Sequence, residues 1–370
     1  MKIERVDIIH VRMNLVSPFQ TSYGQDFEMD KIILKAYTPD FTTYSECVAE
    51  GYPFYAYETV GTVREILKKF ILPSVLGRDL RGPRDCWEKI SKFRGHSMAK
   101  AAVENVVWIL QALEEGKPLA ALLGGKKDRV PAGVPVGIQD RVERLIDLIE
   151  SYLAKGYPRV KIKIKPGKDL AVVEAVRKRF PHLTLMVDAN NAYSLDDLAT
   201  LEALDSYRLL MVEQPLAYDD IVDHARLQSR METPICLDES IHSPYHARIA
   251  AELKACRIIN IKQGRVGGLV PAREVHDIAQ ANGLGVWCGS MLETGIGQAV
   301  NLALAALPNF VYPNDIHESE LFWAKDLIDP PLTLNSDGTL SVPSGPGLGV
   351  KVDEGALDSF TVAREAIRSV

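Results

Sequence analysis

Five charged residues recur at a nearly constant interval: Lys163, Asp188, Glu213, Asp238 and Lys262, separated by 25, 25, 25 and 24 positions. Each closes a short apolar run, in "RVKIK", "LTLMVD", "RLLMVE", "PICLD" and "RIINIK". If those runs are neighbouring strands, spaced about 4.8 Å apart, the three carboxylates stand side by side, and an all-oxygen donor set of this kind suits a hard divalent cation, Mg²⁺ or Mn²⁺. A lone Asp at a strand end ordinarily caps a helix or meets an Arg. Three at one spacing, with lysines on both flanks, are not explained that way.

Lys161 lies two residues before Lys163, so on a strand both side chains point to the same side. A like charge at about 7 Å and an effective dielectric of about 20 costs on the order of one to two pKa units, which moves Lys163 toward the neutral amine that a general base requires. Lys161 is then the tuning charge and an anion clamp, and Lys262 faces Lys163 from the other flank. The set specifies a reaction: a carboxylate substrate held at the cation loses its α-proton to Lys163 through a metal-stabilised enediolate. Three carboxylates outweigh one divalent cation, so the lysines supply the remaining countercharge. Loss of a leaving group from the enediolate makes a lyase; reprotonation on the opposite face makes a racemase.

The elements that must position these groups are legible from about residue 134 onward. "GVPVGI", "RVKIKI", "LTLMVDA", "RLLMVE", "PICLDE", "RIINIK" and "LGVWCG" are rich in Val, Ile and Leu without polar alternation, as strands buried on both faces of a parallel sheet are. Between them lie stretches such as "DRVERLIDLIESYLAKG", apolar at helical spacing and ended by Gly. An open doubly wound sheet usually has longer, less regular connections and a Gly-rich first turn, so the repeat predicts a closed (β/α) barrel with its active site at the C-terminal strand ends, where the five charges fall. The first 125 residues read as a separate α+β capping domain, residues 126–317 as the barrel, and residues 318–370, rich in Pro and Gly, as a segment packing back on the cap.

Composition sets the remaining bounds. With 43 Lys and Arg against 49 Asp and Glu, the chain carries a net charge of −6. It has no basic field for nucleic acid, and the partner expected is a small-molecule carboxylate; homo-oligomerisation is left open. Five scattered cysteines without a CxxC pair fit reduced thiols. The opening "MKIERVDIIHVRMNL" is too charged for a signal peptide, and no run reaches the roughly 18 apolar residues of a membrane span, so a cytoplasmic location is expected.

Taken together, "KIK", "DAN", "VEQP", "LDES", "NIKQGRVGG", "GSMLETGIG" and "GPGLGV" resemble the muconate-lactonizing subgroup of the enolase superfamily over nearly the full chain. The resemblance implies a modified (β/α)₇β barrel with an α+β cap, catalytic Lys163 and Lys262, and metal ligands Asp188, Glu213 and Asp238. It also implies substrate-contacting or supporting roles for Lys161, Asn190, Glu239, Arg265, Ser290, Met291 and Glu293, and a flexible lid, "SPFQTSYG", bringing Phe19, Ser22 and Tyr23 over the site. Within the subgroup the likeness is to the branch of o-succinylbenzoate synthases and N-succinylamino acid racemases. It implies syn-dehydration in menaquinone biosynthesis, with racemisation as the alternative or a second activity. Dipeptide epimerases carry a DxD pair on the eighth strand, whereas this chain has Asn314 and Asp315 followed by Ile316.

Other motifs carry less. His242 and His246 have the spacing of a helical zinc pair, but Pro244 lies between them and no Glu follows the first. "GRVGGL" lacks the spacing and the Lys-Ser ending of phosphate loops. Trp87, Trp108, Trp287 and Trp323 read as core, with Trp287 nearest the active end.

Overall fold

The structure is a computed structural model and describes residues 1–369. Its strands are β1 (Arg5–Gln20), β2 (Gln25–Tyr37), β3 (Thr42–Cys47), β4 (Arg129–Pro131), β5 (Gly133–Val136), β6 (Arg159–Lys163), β7 (Thr184–Asp188), β8 (Val212–Glu213), β9 (Ile235–Leu237), β10 (Ile258–Ile261), β11 (Gly285–Cys288), β12 (Thr339–Ser341) and β13 (Thr361–Arg368). They form a four-stranded sheet ordered β13-β1-β2-β3, a seven-stranded sheet ordered β11 to β5, and the small pair β12-β4.

The four-stranded sheet is antiparallel and belongs to the cap. Along β1, Val11, Met13 and Leu15 are buried while Arg12, Asn14 and Val16 are exposed, the alternation of a strand with one face on a core. Its hairpin with β2 runs from the pair Arg5 and Tyr37 out to Gln20 and Gln25, with an irregularity between Asn14 and Phe19. Behind the sheet lies the helix Ser97–Glu114, buried along most of its length. Its Glu104 accepts the backbone N–H groups of Leu269 and Val270 and the indole N–H of Trp108. A cap helix thus satisfies the first donors of the barrel helix Leu269–Ala281, whose N-cap, Gly268, has no side chain to do so.

The seven-stranded sheet is parallel throughout and follows chain order. The eighth position is filled by Phe310–Asp315, which makes no continuous strand yet bonds to both ends of the sheet. Val311 and Asp315 donate to Val286 and Cys288 on one side, while Asn314 donates to Pro131 and accepts from Gly133 on the other. The ring is therefore closed, and the fold is the (β/α)₇β barrel with an α+β cap.

Inside the ring, Met186, Met211, Cys236, Ile258 and Trp287 form a compact apolar cluster. The fully buried Arg159 guanidinium lies 5.3 Å from the Trp287 ring centroid. A Cβ on Gly133 would fall 2.1 Å from that guanidinium, so a glycine is required where Arg159 crosses the ring. Trp287 lies beneath the charged layer. The segment after residue 318 divides its pairing: β12 joins β4 beside the barrel, and β13 joins β1 in the cap. All five cysteines are buried and free. Among the described residues no helix is long and apolar enough to cross a membrane.

Candidate active site

Parallel register fixes the site. Lys163 pairs with Asp188 across β6 and β7, and Asp188 with Glu213 across β7 and β8. Asp238 and Lys262 lie one residue beyond β9 and β10. The alternation of a strand then carries Lys161, Lys163, Asp188, Glu213, Asp238 and Lys262 to one end of the barrel.

On one flank, Lys163 Nζ donates to Asp188 Oδ2 at 2.6 Å and to Asn190 Oδ1 at 2.8 Å. Lys161 Nζ lies 3.0 Å from Glu213 Oε2, 3.3 Å from Asp188 Oδ2 and 2.5 Å from Asp315 Oδ2. On the other flank, Lys262 Nζ donates to Asp238 Oδ2 at 2.7 Å and sits 4.3 Å from the centroid of the Tyr55 ring. Arg265 also pairs with Asp238, and Tyr55 donates its hydroxyl to Asp238 Oδ1 at 3.1 Å.

These contacts set the charges. Burial would raise the Asp188 carboxyl, but Lys163 and Lys161 outweigh it and hold Asp188 below its ordinary value. Burial and the charge of Asp188 push Glu213 up. Burial opposes the Lys161 ammonium, yet Asp315, Glu213 and Asp188 outweigh it and keep Lys161 charged. The repulsive field expected from Lys161 alone is therefore compensated in place, by a carboxylate set that includes Asp315. Lys262 is likewise held above its ordinary value against burial, chiefly by Tyr55, then by Glu239 and Glu213.

Among the described residues no three His, Cys, Asp or Glu side chains are gathered into a metal-holding group. The carboxylates expected to converge on a cation instead face Lys161, Lys163, Lys262 and Arg265. Their donor chemistry fits a hard divalent ion, since all three are buried carboxylates at adjacent strand ends and every one of them faces positive charge.

The remaining expected residues fall into two groups. Phe19, Tyr23, Asn190, Ser290 and Met291 line the cavity with the three lysines. Ser22, Glu239, Arg265 and Glu293 act on its walls: Ser22 donates to the Asn190 carbonyl, Glu239 accepts from the Asn190 amide, Arg265 braces Asp238, and Glu293 accepts from Ser290 and Met291 N–H. One oxygen of Glu239 is buried without a partner.

Four groups escaped the sequence reading of the site: Asp315, Arg159, Asn260 and Tyr55. Asn260 donates to Glu213 Oε1 at 2.7 Å, and it precedes Lys262 by two residues as Lys161 precedes Lys163, so the same alternation points to it. Two further intervals of about 25 residues from Lys262 end near Asp315, at the eighth barrel position. Tyr55 reaches in from the cap, and no barrel periodicity points to it.

A closed barrel whose mouth carries three adjacent carboxylates between lysines, roofed by a separate cap, defines an enzyme built for acid–base chemistry on a small molecule. Residues 3–124 match the mandelate racemase / muconate lactonizing enzyme N-terminal domain and residues 144–356 the enolase C-terminal domain-like barrel, and the chain belongs to this branch of the enolase superfamily. It is 45% identical to the o-succinylbenzoate synthase of Bacillus subtilis over 97% of both chains, and 44% identical to the N-succinylamino acid racemase of an Amycolatopsis species over the whole of both. A solved enolase-superfamily member from Listeria innocua superposes with a TM-score of 0.96 at 42% identity, covering 100% of this chain and 99% of the other. Use of a divalent metal goes with this membership.

Proposed function

We propose that this chain is an o-succinylbenzoate synthase, removing water in a syn elimination from a cyclohexadiene carboxylate precursor, and that it works in the cytoplasm as part of menaquinone biosynthesis. The observation that carries the reading is the pair Lys163 and Lys262 on opposite flanks of the carboxylates in one cavity, in a chain similar over its length to synthases of that name. Racemisation of N-succinylamino acids is proposed as a second activity, because the same two lysines suit both reactions and a racemase of that name is 44% identical across the full chain.

A divalent cation, Mg²⁺ or in its place Mn²⁺, would be held by Asp188, Glu213 and Asp238 and would stabilise negative charge on the substrate carboxylate. Lys163 takes the α-proton and returns it to the departing hydroxide on the same face, so one base serves both steps of dehydration. Lys262, held as an ammonium chiefly by Tyr55 and donating to Asp238 at 2.7 Å, stabilises the developing charge from the other flank. Lys161 supplies a further fixed cation. Phe19 and Tyr23 roof the cavity and exclude water.

The test treats the lysines unequally. Lys262→Arg keeps the charge and is expected to retain part of the dehydration rate. It is expected to lose racemisation, because an arginine does not deprotonate near neutral pH and so leaves one face without a base. In D₂O this variant should exchange the α-proton of one enantiomer of an N-succinylamino acid only. Exchange of both enantiomers would refute the two-base assignment.

A further inference from the structure

Asp315 has no part in the proton transfers described above, yet it is buried at the floor of the same cavity. One oxygen contacts Lys161 Nζ at 2.5 Å and the other accepts from Arg159 Nη1 at 2.7 Å. Arg159 is itself fixed, donating to the Pro313 carbonyl at 2.8 Å from a site that only Gly133 leaves open. The carboxylate is therefore clamped, and its backbone N–H is tied to Cys288.

The consequence concerns Lys161, whose ammonium is shared among three carboxylates. Two of them, Glu213 and Asp188, are proposed cation ligands; Asp315 sits on a different strand position and is the shortest of the three contacts. An ammonium and a divalent cation compete for the same carboxylate oxygens. A fixed carboxylate on the side away from those ligands gives the ammonium somewhere else to bind. We infer that Asp315 is a positioning residue that draws Lys161 off Glu213 and Asp188, so that those carboxylates are free to take the cation while Lys161 stays at the cavity wall. This rests on the proposal that Asp188, Glu213 and Asp238 hold the cation.

The measurement is Mg²⁺ affinity by titration calorimetry on the full chain without substrate, so that turnover is not the readout. Asp315→Asn should raise the Mg²⁺ Kd about tenfold, and Asp315→Glu should recover most of the loss. Part of any such loss is the direct attraction of Asp315 for the cation, and a cycle with Lys161→Met separates the two. In the Lys161→Met background the direct part persists and the positioning part vanishes, so Asp315→Asn should cost at least about threefold less there than in the native chain. An equal cost in both backgrounds, or no cost in the native chain, overturns the inference. Failure of the native chain to bind Mg²⁺ or Mn²⁺ overturns instead the ligand assignment beneath it. Should Asp315→Asn fail to fold with Arg159 unpaired, Arg159→Met/Asp315→Asn removes both buried charges together, and the same cycle applies to it.

Discussion

The two flanks of the barrel mouth hold the same residue, a lysine bonded to an aspartate, in different surroundings. Lys163 shares its strand with a second ammonium two residues away and donates its other hydrogen bond to the neutral amide of Asn190. Lys262 faces an aromatic ring, and its aspartate is shared with a permanent cation, Arg265. Lys262 is held as an ammonium by these surroundings, chiefly by Tyr55. The difference teaches that a symmetric sequence pattern, one lysine on each side of three carboxylates, folds into an asymmetric site, in which one lysine meets a neutral amide and the other an aromatic ring beside a second cation.

The largest expected effect separates the flanks directly. Lys163→Ala should lower the dehydration rate by about three orders of magnitude or more, the range of general-base contributions, with circular dichroism unchanged. A variant retaining a tenth of the native rate would make the flanks equivalent. Next comes the ring on the Lys262 side. Tyr55→Leu removes both the π face and the hydroxyl and should slow turnover on the order of tenfold to a hundredfold, while Tyr55→Phe, which keeps the face, should lose only a few-fold. Equal losses would show that the hydroxyl bond to Asp238 matters and the ring does not.

A smaller effect is expected at the roof that both flanks share. The cavity holds only about 60 Å³, too little for a substrate, and shares Tyr23, Asp26 and Glu50 with a neighbouring pocket of about 380 Å³. The lid hairpin is pinned to the end of β5: Ile138 N–H donates to the Gln20 carbonyl at 2.9 Å, and a Cβ on Gly137 would lie 2.8 Å from Gln20 backbone atoms. Gly137→Ala should therefore hold the lid off the barrel, raising KM about tenfold with kcat changed less, and speeding protease cleavage near the hairpin tip. Unchanged KM and cleavage would show that the lid does not close through this contact.

The smallest effect is on stability in acid. Burial would raise Asp315, but Lys161 and Arg159 outweigh it and hold the carboxyl at about 2. Its unfolded value is near 3.9, so the folded state binds the proton more weakly, and this contribution, on the order of 2 kcal/mol, is present above pH 4 and lost as pH falls toward 2. The melting temperature of metal-free Asp315→Asn should lie below that of the native chain by a constant amount from about pH 5 to 8, and the gap should close toward pH 2. A gap that widens in acid would reverse the sign of the assignment.

The legible part of the site was the part written in a period. The strand-end charges stood out because each barrel unit spends about the same number of residues on a strand and a helix, so equivalent positions recur. Asp315 stayed hidden because its segment lacks a strand pattern: "FVYPNDI" carries a proline and an asparagine, and it closes the ring through individual bonds rather than a ladder. Tyr55 lies in a cap loop more than a hundred residues ahead of Lys163, and only the docking of cap on barrel relates them.

By itself the sequence determined that Lys163, Asp188, Glu213, Asp238 and Lys262 share the mouth of the barrel, because alternation along a strand and a constant unit length leave little freedom in where strand-end side chains go. It also determined the sign of the charges there, hence the class of substrate. Only the tertiary structure decided how those charges are paired. Pairing depends on distances between side chains of different strands and on contacts from the cap and the ring-closing segment. Burial multiplies the effect of each such contact, so that one unforeseen carboxylate, Asp315, changes the surroundings of Lys161 from a bare like charge to a compensated ion cluster.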